Sequence, residues 1–244
     1  FKGIQNHLDY IQELGFDAIW ISPVVTNTAK GYHGYWMQNL YTVNTHFGSE
    51  SDLIALANAL HSRSMYLMID VVGNHVGNPS SSNDYSIFTP FNRSQYYHDC
   101  KVANCPSSCN IEDWSNQNQV ELCRLEGLPD LNQSVSFVGN TLNSWVKNYV
   151  VTKWKADGIR IDTVPEVNKA FWASFQSAAD VYAVGEVDNG DPEYDGPYQN
   201  SIDGILSYPM FYTIRDVFGS GKAMTEIDGR ISDDNKYFKD PSLL

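Results

Sequence analysis

The chain has 244 residues, 42% of them hydrophobic, with 16 Lys and Arg against 29 Asp and Glu for a net charge of −13. That length accommodates a sizeable core, as one large domain or two smaller ones. The acidic balance argues against binding nucleic acid through its phosphates, and the short, interrupted apolar runs leave no membrane-spanning segment.

The predicted elements alternate from the start. In residues 4–15, "IQNHLDYIQELG", Ile4, Leu8, Ile11 and Leu14 recur at helical spacing and Gly15 ends the run. "DAIWISP" (17–23) reads as a buried strand closed by proline. Residues 49–64 predict an amphipathic helix capped by Ser49 or Ser51, and "MYLMIDVV" (65–72) a strand too apolar for one-sided burial. Residues 74–135 break the rhythm. Rich in Asn, Ser, Asp and Tyr, they are too long for an ordinary connection and read as a small inserted subdomain. A helix over 136–154, a strand at 158–162, a helix over 165–179, a strand at 181–186 and a short strand at 204–208 follow. Strands alternating with helices predict a parallel sheet with crossover helices.

All four cysteines, Cys100, Cys105, Cys109 and Cys123, fall within 74–135. An even, clustered set in loop-like chain points to disulfides and export, and four cysteines allow three pairings. The spacing lacks the doubled C-x-x-C of a zinc site. Two sequons, Asn92-Arg93-Ser94 and Asn132-Gln133-Ser134, fit an exported glycoprotein, although such triplets also arise by chance. The 15 Tyr, 11 Phe and 6 Trp offer faces on which sugars stack, while aromatic cores are the commoner use. The chain opens at Phe1 without an initiator Met, as if processed or cut from something longer.

Polar residues gather at the strand ends. Strand 65–72 carries Asp70 just inside its end and runs into Asn74-His75, "GIRID" (158–162) ends on Arg160 and Asp162, and 181–186 ends on Gly185-Glu186. Strand alternation sends Arg160 and Asp162 to one side. Taken alone, the pair is as well a structural salt bridge as a functional one. In a parallel α/β sheet, though, all three ends lie on the rim where ligands bind, and three successive polar ends point to an active site. Two carboxylates on neighbouring strands suit a retaining glycosidase: one attacks the anomeric carbon and the other protonates the leaving oxygen. Arg160 holds Asp162 ionised, which leaves Glu186 as the proton donor. His75 either bonds a sugar hydroxyl or serves the fold. Glu121 and Asp130, read alone, are solvated surface acids.

"DVVGNH" (70–75), "LPD" (128–130), "GIRID" (158–162) and "GEV" (185–187) together resemble successive blocks of the α-amylase family of glycoside hydrolases. "GYHGYW" (31–36), "HFGSESDL" (46–53), "DNGDPEY" (188–194) and "PYQN" (197–200) are similar to fungal-type secreted members in particular. The resemblance implies an α/β fold, a (β/α)8 TIM barrel as catalytic domain A over 1–73 and 136–244, with an irregular domain B inserted after the third strand at 74–135. It implies retaining endo-hydrolysis of α-1,4-glucosidic bonds in starch- or glycogen-type glucans, with Asp162 as nucleophile and Glu186 as general acid/base. A secreted, extracellular monomer is expected. Tyr35, His75 and Arg160 would surround the sugar before the cleaved bond; Tyr35 would stack on it, and His33 and Trp36 would line the same pocket. The resemblance also implies a calcium ion joining domain B to the barrel through Asn74, Glu121, Asp130 and the backbone carbonyl of Glu166, oxygen donors of the kind calcium selects. It pairs Cys109 with Cys123, leaving Cys100–Cys105 as an extra bond.

Three departures accompany the resemblance. The Asn-His-Asp motif that carries the family's third catalytic aspartate does not occur, and the first strand is missing. Counted on the resemblance, only strands two to six are present, so the chain reads as part of a longer enzyme. Pro165-Glu166 stands where fungal-type members carry Lys-His on the product side, which bears on chain-length preference and transfer activity. The loop between Pro23 and Gly31 is short and lacks a disulfide that many fungal relatives carry. The same residues would serve an α-glucanotransferase or an oligosaccharide-cleaving α-glucosidase. A non-catalytic glucan-binding protein, from another class, would explain the missing aspartate.

Overall fold

The structure, a computed structural model, describes residues 1–79 and 84–243, so residues 80–83 of the inserted stretch and Leu244 lie outside it. In chain order the elements are α1 (Lys2–Gln5), α2 (Leu8–Glu13), β1 (Ala18–Ile21), β2 (Val25–Asn27), β3 (Met37–Val43), α3 (Glu50–His61) and β4 (Tyr66–Val72). Then come α4 (Gln117–Leu122), α5 (Ser136–Trp145), β5 (Gly158–Asp162), α6 (Lys169–Ala179), β6 (Tyr182–Gly185), α7 (Pro192–Asp195), β7 (Gly204–Ile205), α8 (Tyr208–Ile214) and α9 (Thr225–Tyr237).

Five strands form one sheet in the order β1-β4-β5-β6-β7, every neighbouring pair parallel. The apolar runs read as strands are these strands, because a parallel sheet covered on both faces rewards Ile, Val and Leu at successive positions. Ile69, Val71, Ile159 and Ile161 are each at most 1% exposed. The register sets Asp70 beside Arg160 and Val72 beside Asp162, and ends β6 at Gly185, so the polar residues share one rim. Gly185 has no room for a Cβ, which would strike Ile202 and Val164, and this close packing fixes the exit of the chain into Glu186.

Helix boundaries differ from the sequence pattern where the backbone is needed elsewhere. The first helix is two short ones interrupted at Asn6-His7. Ser49, rather than Ser51, caps α3: its Oγ accepts from Asp52 N–H (3.1 Å), and Asp52 Oδ2 accepts from Ser49 N–H (2.9 Å). The helix expected from 165 starts at Lys169, with Asn168 as its cap, because 163–167 form a turn that serves the rim. Past Trp145 the helix α5 continues as wider π-type turns over Val146–Lys153. The last expected strand stops at Ile205, since Tyr208-Pro209 opens α8. The antiparallel pair β2–β3 has no counterpart among the predicted elements; it is short and its register shifts twice.

The stretch 74–135 leaves the rim and returns to it. His75 bridges Asp130 antiparallel, Leu131 N–H donates to Asn74 O (2.8 Å), and His98 N–H donates to Asp130 O (3.0 Å). Its disulfides are Cys100–Cys109 and Cys105–Cys123, which corrects the expected Cys109–Cys123 and Cys100–Cys105. Cys123 packs with Ile111 and Val120 in a small apolar cluster against which Cys105 lies, so those two sulfurs meet. Cys109 ends a tight turn at φ 62°, its N–H bonded to Pro106 O (2.8 Å), and is matched to Cys100 instead.

Candidate active site

One guanidinium organises the rim. Arg160 Nη1 lies 3.0 Å from Asp70 Oδ1 and 2.6 Å from Asp162 Oδ1, and Nη2 lies 2.8 Å from Glu186 Oε1. Three parallel strands therefore deliver three carboxyl groups to one cation. Burial opposes its charge, but the carboxylates around Arg160 hold its pKa above the ordinary value. Burial pushes Asp70 up to about 7 against the pull of Arg160. Burial also raises Glu186, again opposed by Arg160 and reinforced by Asp162.

Each carboxyl group has further partners. Asp70 Oδ2 accepts from the Tyr35 hydroxyl (2.9 Å) and Trp20 Nε1 (3.3 Å). Glu186 Oε1 accepts from the Tyr208 hydroxyl (2.9 Å), and Oε2 from Thr163 N–H (3.3 Å). Thr163 takes φ 50°, a left-handed conformation uncommon for a β-branched residue, and this turn aims its amide at Glu186. Trp20, Tyr208 and the Thr163 amide are not among the expected site residues, nor is Asp70 assigned a role by the sequence. The rim rule that finds Glu186 also reaches Tyr208, just beyond β7.

The predicted sugar-side residues are brought together. The His33 and Tyr35 rings stack at 5.8 Å and His33 meets Trp36 edge-on at 5.0 Å, while Arg160 lies 5.9 Å from the Tyr35 ring. His75 Nε2 is 3.2 Å from the Tyr35 carbonyl oxygen, which can only accept, so this nitrogen carries the proton. Burial pushes His75 down to about 4, leaving it neutral with Nδ1 as an acceptor.

That tautomer orients Asn74. Its Nδ2, 3.2 Å from His75 Nδ1, donates there, and its amide oxygen then faces Asp130 Oδ1 (2.9 Å) and the Glu166 carbonyl oxygen (3.2 Å). The reverse orientation, with Nδ2 donating to those two oxygens, would move the ring proton to Nδ1 and give up the bond to the Tyr35 carbonyl. With its oxygen turned this way, Asn74 joins the Asp130 carboxyl and the Glu166 carbonyl in an oxygen donor set of the kind that a hard cation would complete. Asp130, held through Oδ2 by His98 Nδ1 (2.7 Å), is raised to about 7 by burial. Glu121 is not shown in this set: its carboxylate accepts from Gln117 Nε2 (2.9 Å) and Asn168 Nδ2 (3.3 Å). Among the described residues no three His, Cys, Asp or Glu side chains form a metal cluster; the converging donors are an amide, a carboxylate and a carbonyl.

A cleft of about 360 Å³ opens on another side of Glu186, lined by Glu166, Asp188, Trp114, Tyr194 and Tyr212 among others. Glu166 Oε2 is buried without a partner, and burial raises that carboxyl to about 8. A group held between Tyr35 and this cleft would meet two carboxyl groups bonded to Arg160, of which Glu186 is raised by burial.

The profile of the family described as "Alpha amylase, catalytic domain" matches residues 1–239. "Alpha-amylase 1" of Lipomyces kononenkoae is 47% identical over 89% of this chain and 35% of its own length. "Alpha-amylase" of Saccharomycopsis fibuligera is 45% identical over 100% of this chain and 50% of its own. The solved structure of an alpha-amylase from Malbranchea cinnamomea superposes with a TM-score of 0.89 at 42% identity, covering 98% of this chain and 51% of that one. The chain thus spans about half or less of the length of these relatives.

Proposed function

The chain belongs to the family of alpha-amylase catalytic domains, and we propose on that footing that it carries the centre of a retaining endo-glucanase acting on α-1,4-glucosidic bonds of starch-type glucans. The observation that carries this reading is the clamp of Arg160 on Asp162 and Glu186. Both carboxyl groups bond terminal nitrogens of a single guanidinium, which favours the short separation of about 5–5.5 Å that double displacement needs.

In the proposed reaction Asp162, charge-paired with Arg160, attacks the anomeric carbon as the glycosidic C–O bond breaks. Glu186, whose pKa burial raises, gives its proton to the departing oxygen. The glycosyl ester is then hydrolysed by a water that Glu186, now a carboxylate, deprotonates. Tyr35 offers its ring to the sugar before the bond, with His33, Trp36 and neutral His75 beside it. The cleft bordered by Trp114 and Glu166 receives the leaving portion. The non-catalytic reading loses ground because the acid, the nucleophile and the arginine that orients them are all retained and mutually bonded.

Calcium suits the oxygens of Asn74, Asp130 and the Glu166 carbonyl, and we assign them, with Glu121 as the fourth donor, to such an ion. It would supply charge that ties 74–135 to the rim. This supports a division into 1–73 and 136–244 as the barrel part and 74–135 as its insertion. Two disulfides fit an extracellular, secreted monomer, and among the described residues no helix is long and apolar enough to cross a membrane.

The test is starch hydrolysis in calcium buffer, following reducing ends and their anomeric form by NMR, with Glu186→Gln as control. Newly formed α-anomer, lost in the control, is the expected result; β-anomer would overturn retention, and equal activity of the control would overturn the role of Glu186.

A further inference from the structure

The turn 163–168 serves two centres at once. At one end the Thr163 amide bonds Glu186; further on, the Glu166 carbonyl oxygen belongs to the oxygen set around Asn74. Between them lies Pro165, which has no N–H, so its carbonyl is the only backbone group by which this residue can be held. Residues 161–167 are buried throughout, where a loose carbonyl would be costly.

The group that takes this carbonyl comes from the inserted stretch. Gln117, on α4, donates Nε2 to Pro165 O (3.0 Å), to Glu121 Oε1 (2.9 Å) and, at 3.4 Å, to the Tyr198 hydroxyl. Its Oε1 accepts from the Tyr194 hydroxyl (2.7 Å). Both ends of the amide are therefore spoken for, and its orientation is fixed by chemistry: the nitrogen faces acceptors and the oxygen faces a donor. Tyr198 is itself 0% exposed, so the strut is anchored in the core.

We propose that Gln117 is a positioning residue that sets the turn 163–168, and through it couples the oxygen set at Asn74 and Asp130 to the Thr163 amide that holds Glu186. The assignment builds on the proposed roles of Glu186 and of the ion, but its first readout needs neither turnover nor metal. The substitution Gln117→Glu is isosteric: it keeps the volume and replaces the donor by a carboxylate oxygen facing Pro165 O and Glu121. Packing alone would feel that change only at Glu121, where two carboxylates would meet; loss of a donor to Pro165 O also frees the turn 163–168.

The experiment is hydrogen exchange by mass spectrometry on the whole chain carrying Gln117→Glu, with wild type alongside. Amides of 163–168 should exchange roughly tenfold faster, the size of one net hydrogen bond, while those of β5 keep their protection. Unchanged exchange over 163–168, or acceleration spread evenly over the chain, would overturn the proposal. Should Gln117→Glu fail to fold, Gln117→Asn, which keeps the amide but shortens its reach, is judged by the same criterion. Calcium titration of the two proteins provides the second readout. Weaker uptake in the variant is expected, and equal uptake counts against the coupling. Absence of uptake in wild type would sink the calcium reading while the exchange data still decide the role of Gln117.

Discussion

Arg160 and Asp70 form the most enclosed ion pair of the rim: Nη1 contacts both Asp70 oxygens, at 3.0 and 3.1 Å, and the Asp70 side chain is 0% exposed against 9% for Asp162 and 21% for Glu186. Removing the cation strands buried carboxyl groups, so Arg160→Met should cost about 3–5 kcal/mol in urea unfolding at neutral pH and abolish hydrolysis. Asp70→Asn should cost less. Burial raises Asp70 to about 7, so removing its charge costs less than removing the one cation that three carboxyl groups share. Equal losses for the two variants would contradict this asymmetry.

The proposed division of labour between Asp162 and Glu186 predicts different substrate rescue. Glu186→Gln should lower starch hydrolysis by roughly 10²–10⁴-fold. It should retain glycosylation on α-glucosyl fluoride, whose leaving group needs no proton. Asp162→Asn should lose both substrates, because no leaving group replaces the nucleophile. Parallel initial rates on starch and the fluoride decide it, and rescue of Asp162→Asn would reverse the roles.

Much of this centre is legible in the sequence. Apolar runs are strong signals for doubly covered parallel strands, and the rim rule needs only the strand ends, so Arg160, Asp162 and Glu186 fall into place together. The pair β2–β3 is not legible, because three residues against a shifting register leave no periodicity. Nor is the turn 163–167: its apolar residues fit a helix, but the left-handed Thr163 and the bond from Gln117 Nε2 to the Pro165 carbonyl override that pattern. Gln117 itself looks like one more surface amide until the fold sets Pro165 and Tyr194 beside it.

The alkaline limb of the pH–rate profile should follow Glu186. Burial raises its pKa, whereas the Tyr208 hydroxyl bond stabilises the carboxylate and lowers it. Tyr208→Phe removes the lowering contribution, so Glu186 stays protonated to higher pH and the alkaline limb of kcat moves up. A shift to lower pH, measured over the full profile, would show that the hydroxyl bonds the protonated form instead.

Calcium should stabilise the fold by mass action, by about 2.7 kcal/mol at a concentration roughly one hundred times Kd. The rise should show in thermal unfolding and vanish with a chelator. Asp130→Asn should remove most of it, since the change deletes the charged donor beside Asn74 and the Glu166 carbonyl. An undiminished shift in Asp130→Asn would place the ion elsewhere.

Disulfide connectivity lies beyond what cysteine spacing can give, and it makes a separate prediction. Peptide mapping without reduction should recover Cys100 joined to Cys109 and Cys105 to Cys123. The two bonds should also differ in worth. Cys105–Cys123 closes a sequence separation of 18 residues against 9 for Cys100–Cys109, and the longer loop loses more unfolded-state entropy. It also lies in the apolar cluster with Ile111 and Val120, beside α4, which carries Gln117 and Glu121. Replacing Cys105 and Cys123 by Ser should therefore cost about 2–4 kcal/mol and weaken calcium uptake, while the Cys100/Cys109 double variant should cost less and leave uptake near wild type. A larger loss from the shorter loop would mean that native packing around Cys109, not loop closure, sets the stability of the inserted stretch.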